Sequence, residues 1–333
     1  MNTWIRLLEL VSQIENVMDQ GKRITMRLLV AVDTIKTLDI ILNAIEARSW
    51  PKGTEAHILS VVEDETIPAE RWRTEGYGLG TVRHEMRRRG EQLSALTIER
   101  LRAKGIQAQV TIMRGDPAFL IPFAAQNWSS DLILIRANNR IDFRNWLLGS
   151  VAKSVVESAD CSVEVVRAPT APQSSARSGM RVLLATDGSD AALAASQAVA
   201  EMEFSEDSEV KVLSVVNSIR YSLEEIGLSR GKDSERAHQA IGRAVNVLRS
   251  GPVKITAEVV AGSRVRQILA RAKDWNADLI VVGDEERSGL KRIMSRGTAV
   301  AVANRAHCSV RVVRGNNASR DKQYRLDSLG NAA

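Results

Sequence analysis

The stretch Asp278-Leu-Ile-Val-Val-Gly283-Asp-Glu-Glu-Arg-Ser-Gly289-Leu-Lys-Arg-Ile-Met-Ser-Arg-Gly297-Thr298, running on to Cys308-Ser-Val-Arg-Val-Val-Arg314, decides how this chain folds. Its apolar opening reads as a buried strand, its polar, glycine-bearing middle as a loop, Gly297-Thr298 as a helix start, and its end as a short final strand. The chain contains this order twice. Asp131-Leu-Ile-Leu-Ile135 opens the earlier copy, Gly149-Ser150 precedes a helix, and Cys161-Ser-Val-Glu-Val-Val-Arg167 closes it. Asp131/Asp278, Trp128/Trp275, Cys161/Cys308 and Arg167/Arg314 each sit 147 residues apart. A fixed offset of this kind marks an internal repeat, so the chain is built from two copies of one unit.

Composition agrees with that division and narrows the class. A length of 333 residues favours about two domains. Apolar content of 44% and charged content of 26% are those of an ordinary globular protein. No apolar run approaches the ~18 residues of a membrane span, so no membrane partner is expected. No basic region followed by an apolar run opens the chain, which makes the cytosol the expected compartment. Two cysteines argue against a disulfide framework. The net charge of +6 comes from interleaved positives and negatives, and a nucleic-acid partner is not expected.

Taken in order, residues 1–25 read as an extra amphipathic helix, with Trp4, Leu7, Leu8, Val11, Ile14 and Met18 on one face. A lightly attached extension is the alternative. The first unit, residues 26–168, opens with Arg27-Leu-Leu-Val-Ala-Val-Asp33, an apolar run typical of a strand buried on both faces. A helix is predicted over 38–48, ended by Pro51-Lys-Gly53, then a strand at His57–Val62. A long polar helix over 82–104 and a strand over 108–113 follow. Asp116-Pro117 starts the next helix, and 131–135 is the fourth strand. Strands alternating with helices mean βα units and a parallel sheet.

Residues 169–179 are small, polar and proline-bearing, the composition of a linker. The second unit, 180–314, repeats the order, with Met180-Arg-Val-Leu-Leu-Ala-Thr-Asp187 matching Met26 to Asp33 at an offset of 154. The offset falls to 147 by Gly115/Gly262, so the first unit carries seven extra residues between its second and third strands. The polar tail, 315–333, reads as disordered.

Ligands of open parallel sheets bind beyond the carboxyl ends of the strands, where strand order reverses. That points to Asp33 and Asp187, to Val62 and Val216, and to the loops after the fourth strands. At Gly297-Thr298 free helix amides favour an anion, although Thr298 and Ser150 acting as plain N-caps is an equal alternative. Trp128 and Trp275 read as core aromatics, and Cys161 and Cys308 as small buried hydrophobes. The four histidines show no metal-ligand spacing and no nucleophile–base pairing, so no catalytic or metal residues are assigned.

These residues together resemble a universal stress protein domain: strand–Asp, long helical middle, Asp-Leu-Ile-Val-Val-Gly, a Gly-Ser/Thr helix start and Cys-Ser-Val-x-Val-Val-Arg. Both units carry the resemblance, so the chain looks like a tandem member. The resemblance implies an α/β, adenine-nucleotide-hydrolase-like fold, with two tandem open five-stranded parallel sheets of order 3-2-1-4-5 and helices on both faces. It also implies self-association of the two domains through their fifth strands, a dimer made within one chain. Some members bind ATP through Gly-x2-Gly-x9-Gly-Ser/Thr, with the first-strand Asp near the adenosine.

Neither copy matches that motif fully. The second offers Asp187, Gly188 and Ser189, with Val216, Gly283, Gly289, Gly297 and Thr298, but Glu286 replaces the second glycine and ten residues precede Gly297. The acidic Asp284, Glu285 and Glu286 oppose a triphosphate, whereas Arg287, Lys291, Arg292 and Arg296 offset that charge. The first keeps the spacing to Gly149-Ser150 but has Arg136 and Asn139 for both glycines. The leading expectation is a stress-response protein that binds ATP or AMP in its second domain, with Mg2+ only alongside ATP. It would act by conformational or partner effects rather than turnover. The alternatives are an interaction module that binds no nucleotide and engages an unknown protein partner, and a slow nucleotide hydrolase.

Overall fold

A computed structural model describes residues 26–63, 79–137, 148–168, 179–217, 232–249, 253–284 and 297–315. The expectations for residues 1–25, for the linker before Gly179 and for the tail beyond Gly315 lie outside these. The chain divides into two compact units, Met1–Ile135 and Arg136–Ala333.

In the first unit, β1 (Arg27–Val32) lies between β2 (Glu55–Val62) and β4 (Leu132–Arg136), and β2 pairs in turn with β3 (Gln107–Arg114). All three pairings are parallel. Helices α1 (Ile35–Glu46), α2 (Leu79–Ala103) and α3 (Pro117–Asn127) connect the strands. β1 is buried over Leu28–Val32, as its unbroken apolar run requires. α1 starts earlier than its apolar periodicity suggests, because the Thr34 hydroxyl caps it by accepting the Thr37 N–H at 3.2 Å. α3 begins as read from the sequence, with Asp116 accepting the Ala118 N–H at 2.8 Å ahead of Pro117.

The second unit adds α4 (Ser150–Ser158) and β5 (Ser162–Val166), then β6 (Arg181–Ala185), α5 (Asp190–Ala200), β7 (Glu209–Val216), α6 (Lys232–Leu248), β8 (Lys254–Ala261), α7 (Arg264–Asp274), β9 (Leu279–Asp284), α8 (Thr298–Arg305) and β10 (Ser309–Arg314). Its strand order is β5-β10-β9-β6-β7-β8. Every pair is parallel except β5 with β10, which run antiparallel. This corrects the expectation of two separate five-stranded sheets. Each fifth strand has an unpaired row of N–H and C=O groups, and pairing β5 with β10 satisfies both.

The aspartates that open the repeated stretch lock the amino ends of the strands. Asp278 accepts the Arg181 N–H at 2.8 Å and returns its own N–H to the Arg181 carbonyl at 2.9 Å. Asp131 does the same with Arg27, at 2.7 and 2.9 Å. The matched tryptophans diverge, against the expectation that both close the core. Trp128 is buried edge-on against His57, with ring centroids 5.0 Å apart. Trp275 is only half-buried, because the His57 position is Lys211 in the second repeat. The Lys211 ammonium sits 4.8 Å from the ring centroid and the Arg181 guanidinium 5.7 Å. Cys308 is buried as expected, but Cys161 is only half so.

His57 Nε2 lies 2.8 Å from the Thr111 hydroxyl, and burial pushes its pKa down to about 4. The folded state therefore holds a neutral imidazole where the unfolded chain binds a proton below about pH 6.5. Stability is full above pH 6.5 and declines as pH falls toward 4, by roughly 1–3 kcal/mol from this group. Urea titrations at pH 7 and pH 5 should show that loss in the parent protein, and His57→Gln should flatten it.

Candidate functional site

At the carboxyl ends of β6, β7 and β9 the second unit opens a cleft lined by Ala185, Asp187, Leu213, Val215, Gly283 and Thr298, among others. Its position follows from topology. β6 connects onward to β7 on one side while β9 lies on its other side, so the connections leave in opposite directions and part the chain at the strand tips. The inner wall is apolar, completed by Ala192 and Ile268.

Asp187 follows β6 and its side chain is exposed at the mouth. Its Oδ1 accepts the Ser189 N–H at 3.1 Å, which fixes the turn while leaving carboxylate lone pairs toward solvent. Gly188 takes φ of +80°, a left-handed conformation that favours glycine. A Cβ there would also meet the Arg243 guanidinium at 2.4 Å. Gly188 and Ser189 line a smaller recess on the far side of this turn, with Arg243 and Ala240. Ser189 caps α5, accepting the Ala192 N–H at 3.3 Å.

α8 begins at Thr298 behind Gly297, with no side-chain hydrogen bond at the cap. The same holds for α4, which Gly149 precedes. Thr298 and Ser150 are thus first helical residues, and the reading of them as N-caps is corrected. The α8 amides are left to solvent or to an anion at the cleft.

Gly283 is fixed by packing. A Cβ at this position would lie 2.2 Å from the Ala191 carbonyl oxygen and 2.7 Å from the Ala192 nitrogen, inside the first turn of α5. Close backbone approach therefore requires glycine at the tip of β9, whatever the cleft holds. The charge of Asp284 is compensated, since it pairs with the mostly buried Arg314 guanidinium. The first repeat has Ala137 at the corresponding position.

Of the residues singled out in the sequence, Asp187, Gly283 and Thr298 line the cleft and Gly297 adjoins it. Val216 does not line it. Strand side chains alternate, so Leu213 and Val215 face the cleft while Val216 is buried and accepts the Gly262 N–H through its carbonyl at 2.9 Å. Gly289, Glu285, Glu286, Arg287, Lys291, Arg292 and Arg296 lie outside the described residues. Arg264, exposed at the start of α7, is a cation on the cleft that sequence reading missed. Its signal is Gly262-Ser263-Arg264, where β8 turns into a helix.

The first repeat ends its leading strand differently. Asp33 Oδ1 accepts hydroxyl hydrogen bonds from Thr37 at 2.5 Å and Thr34 at 3.2 Å, and the Asp33 carbonyl accepts from Arg89. No glycine intervenes between Asp33 and the capping threonine. Among the described residues, no group of three or more His, Cys, Asp or Glu is placed to hold a metal ion, and no helix is long and apolar enough to cross a membrane.

The model of the universal stress protein family matches residues 25–167 and 180–314, and the chain belongs to that family as a tandem member. A universal stress protein of Methanocaldococcus jannaschii is 29% identical over 142 residues, 40% of this chain and 81% of that protein. The crystal structure of a universal stress protein from Archaeoglobus fulgidus superposes with a TM-score of 0.58 at 21% identity, covering 88% of this chain and 97% of that one. A putative universal stress protein from Pseudomonas aeruginosa gives a TM-score of 0.53 at 14% identity, covering 92% and 98%. These likenesses confirm an α/β fold with a mostly parallel sheet and helices on both faces.

Gly283→Ala should lower stability by roughly 1–3 kcal/mol, since the added methyl collides with helix backbone. Gly242→Ala, on the exposed face of α6 with nothing within 4 Å of the new Cβ, should raise it by about 0.5–1 kcal/mol. Parallel urea denaturation of the two variants checks both signs.

Proposed function

With the chain placed in the universal stress protein family, we propose that its second repeat binds ATP or AMP in the β6–β9 cleft and acts through binding rather than turnover. The observation that carries this reading is the convergence of an exposed carboxylate, an apolar wall and an uncapped helix start in one cleft. The apolar wall of Ala185, Leu213, Val215 and Ile268 suits a purine face. Asp187 suits a ribose hydroxyl or the adenine amino group. The α8 amides suit a phosphate, with Arg264 adding positive charge. The pairing of Asp284 with Arg314 supports the reading by removing one of the acidic groups that would repel phosphate. Mg2+ enters only with ATP, carried on the phosphates.

The first repeat is a non-binding copy in this reading. Asp33 is engaged by two threonine hydroxyls, and Arg136 stands where the second repeat has Gly283. That asymmetry supports a division of labour in which the first repeat serves structure or partner contact.

Isothermal titration with AMP and with ATP·Mg should show one site per chain. Asp187→Ala should weaken binding by roughly 10- to 100-fold, the usual cost of losing a hydrogen bond to a charged group. No heat and no thermal shift at about 1 mM ligand would end the proposal, since any affinity tighter than that stabilises the folded state measurably.

A further inference from the structure

The antiparallel seam has a two-fold relation written into its register. Val163 faces Val312, Glu164 faces Arg311 and Val165 faces Val310. By the 147-residue repeat offset, Val163 corresponds to Val310, Glu164 to Arg311 and Val165 to Val312. Each valine therefore faces the equivalent of the other valine, while Glu164 faces its own equivalent. The axis relating the two fifth strands passes between Glu164 and Arg311.

The flanking contacts obey the same symmetry. The Arg167 N–H donates to the Ser309 hydroxyl at 3.1 Å, and the Arg314 N–H to the Ser162 hydroxyl at 3.3 Å. The Arg167 Nη2 donates to the Ala303 carbonyl at 2.7 Å, and the Arg314 Nη2 to the equivalent carbonyl of Val156. Because both halves make these contacts alike, they do not distinguish one fifth strand from the other.

Within the paired ladder, the axis position does. Arg311 Nε and Nη2 both lie 2.9 Å from Glu164 Oε2, with side-chain exposures of 6% and 0%. Pairing β5 with another β5 in this register would oppose two buried carboxylates, and β10 with β10 two buried guanidinia. Directly opposed strand residues sit too close for either to be tolerated without a counter-charge. We propose that the Glu164–Arg311 pair fixes partner choice at the seam: a first-repeat fifth strand accepts a second-repeat fifth strand and rejects another of its own kind. The partner this surface fits is thus the complementary strand of the same chain or of a second copy.

Charge reversal in the full chain tests this. Glu164→Arg places two arginines at the axis, and Arg311→Glu two glutamates. Each single variant should lose roughly 5–10 °C in thermal midpoint and exchange the β5 and β10 amides faster. The double variant E164R/R311E should recover most of that loss. An equimolar mixture of the two single variants should form a 1:1 complex in native mass spectrometry, which neither forms alone, because each supplies the charge the other lacks. A double variant no more stable than the singles overturns the proposal, as does a mixture that stays separate. The double variant keeps the test decisive if a single variant fails to fold.

Discussion

A strand buried on both faces can satisfy its backbone only with neighbouring strands. β6 illustrates this, with Val182, Leu183 and Leu184 fully buried and its ladder shared between β7 and β9. Along β6 the buried positions are all apolar, and the polar groups that serve it stand at its tips. The two tips of β6 use the same residue type for opposite ends. Asp278 closes the amino end by accepting the Arg181 N–H, while Asp187 stands exposed at the carboxyl end. One carboxylate is consumed by the fold and the other stays exposed at the cleft.

The repeat, the parallel strands and the Asp116-Pro117 helix start were legible in the sequence because each depends on local pattern or on self-comparison. The early start of α1 was not, because Thr34 supplies a cap ahead of the first apolar residue of the helix face. Val216 stands at the end of β7, whereas the pleat presents Leu213 and Val215 to the cleft. Gly283 fits the nucleotide motif by its spacing, yet the turn of α5 against β9 demands it on packing grounds. The Asp284–Arg314 pair comes together only through tertiary structure, since no spacing within the sequence announces it.

The repeats share a fold and have diverged at their edges. His57 packs neutral against Trp128, whereas Lys211 holds its charge over Trp275. Asp33 is held by threonine hydroxyls, whereas Asp187 is held by one backbone amide beside a left-handed glycine. These differences leave the sheet intact because the backbone register is kept, with His57 beside Leu29 and Lys211 beside Leu183. A fold tolerant of such changes lets the two copies carry different side chains at their strand tips.

The axis position carries a further consequence, about how such a chain can change over generations. In an assembly of two identical chains, one codon writes both sides of a two-fold axis, so any charge placed there confronts itself. A fused chain has two codons for that spot, and each is free to mutate alone. Glu164 opposite Arg311 is a combination that joining the repeats made accessible and that strict identity would forbid. Once it arose, cutting the repeats apart would leave two halves that each need the other.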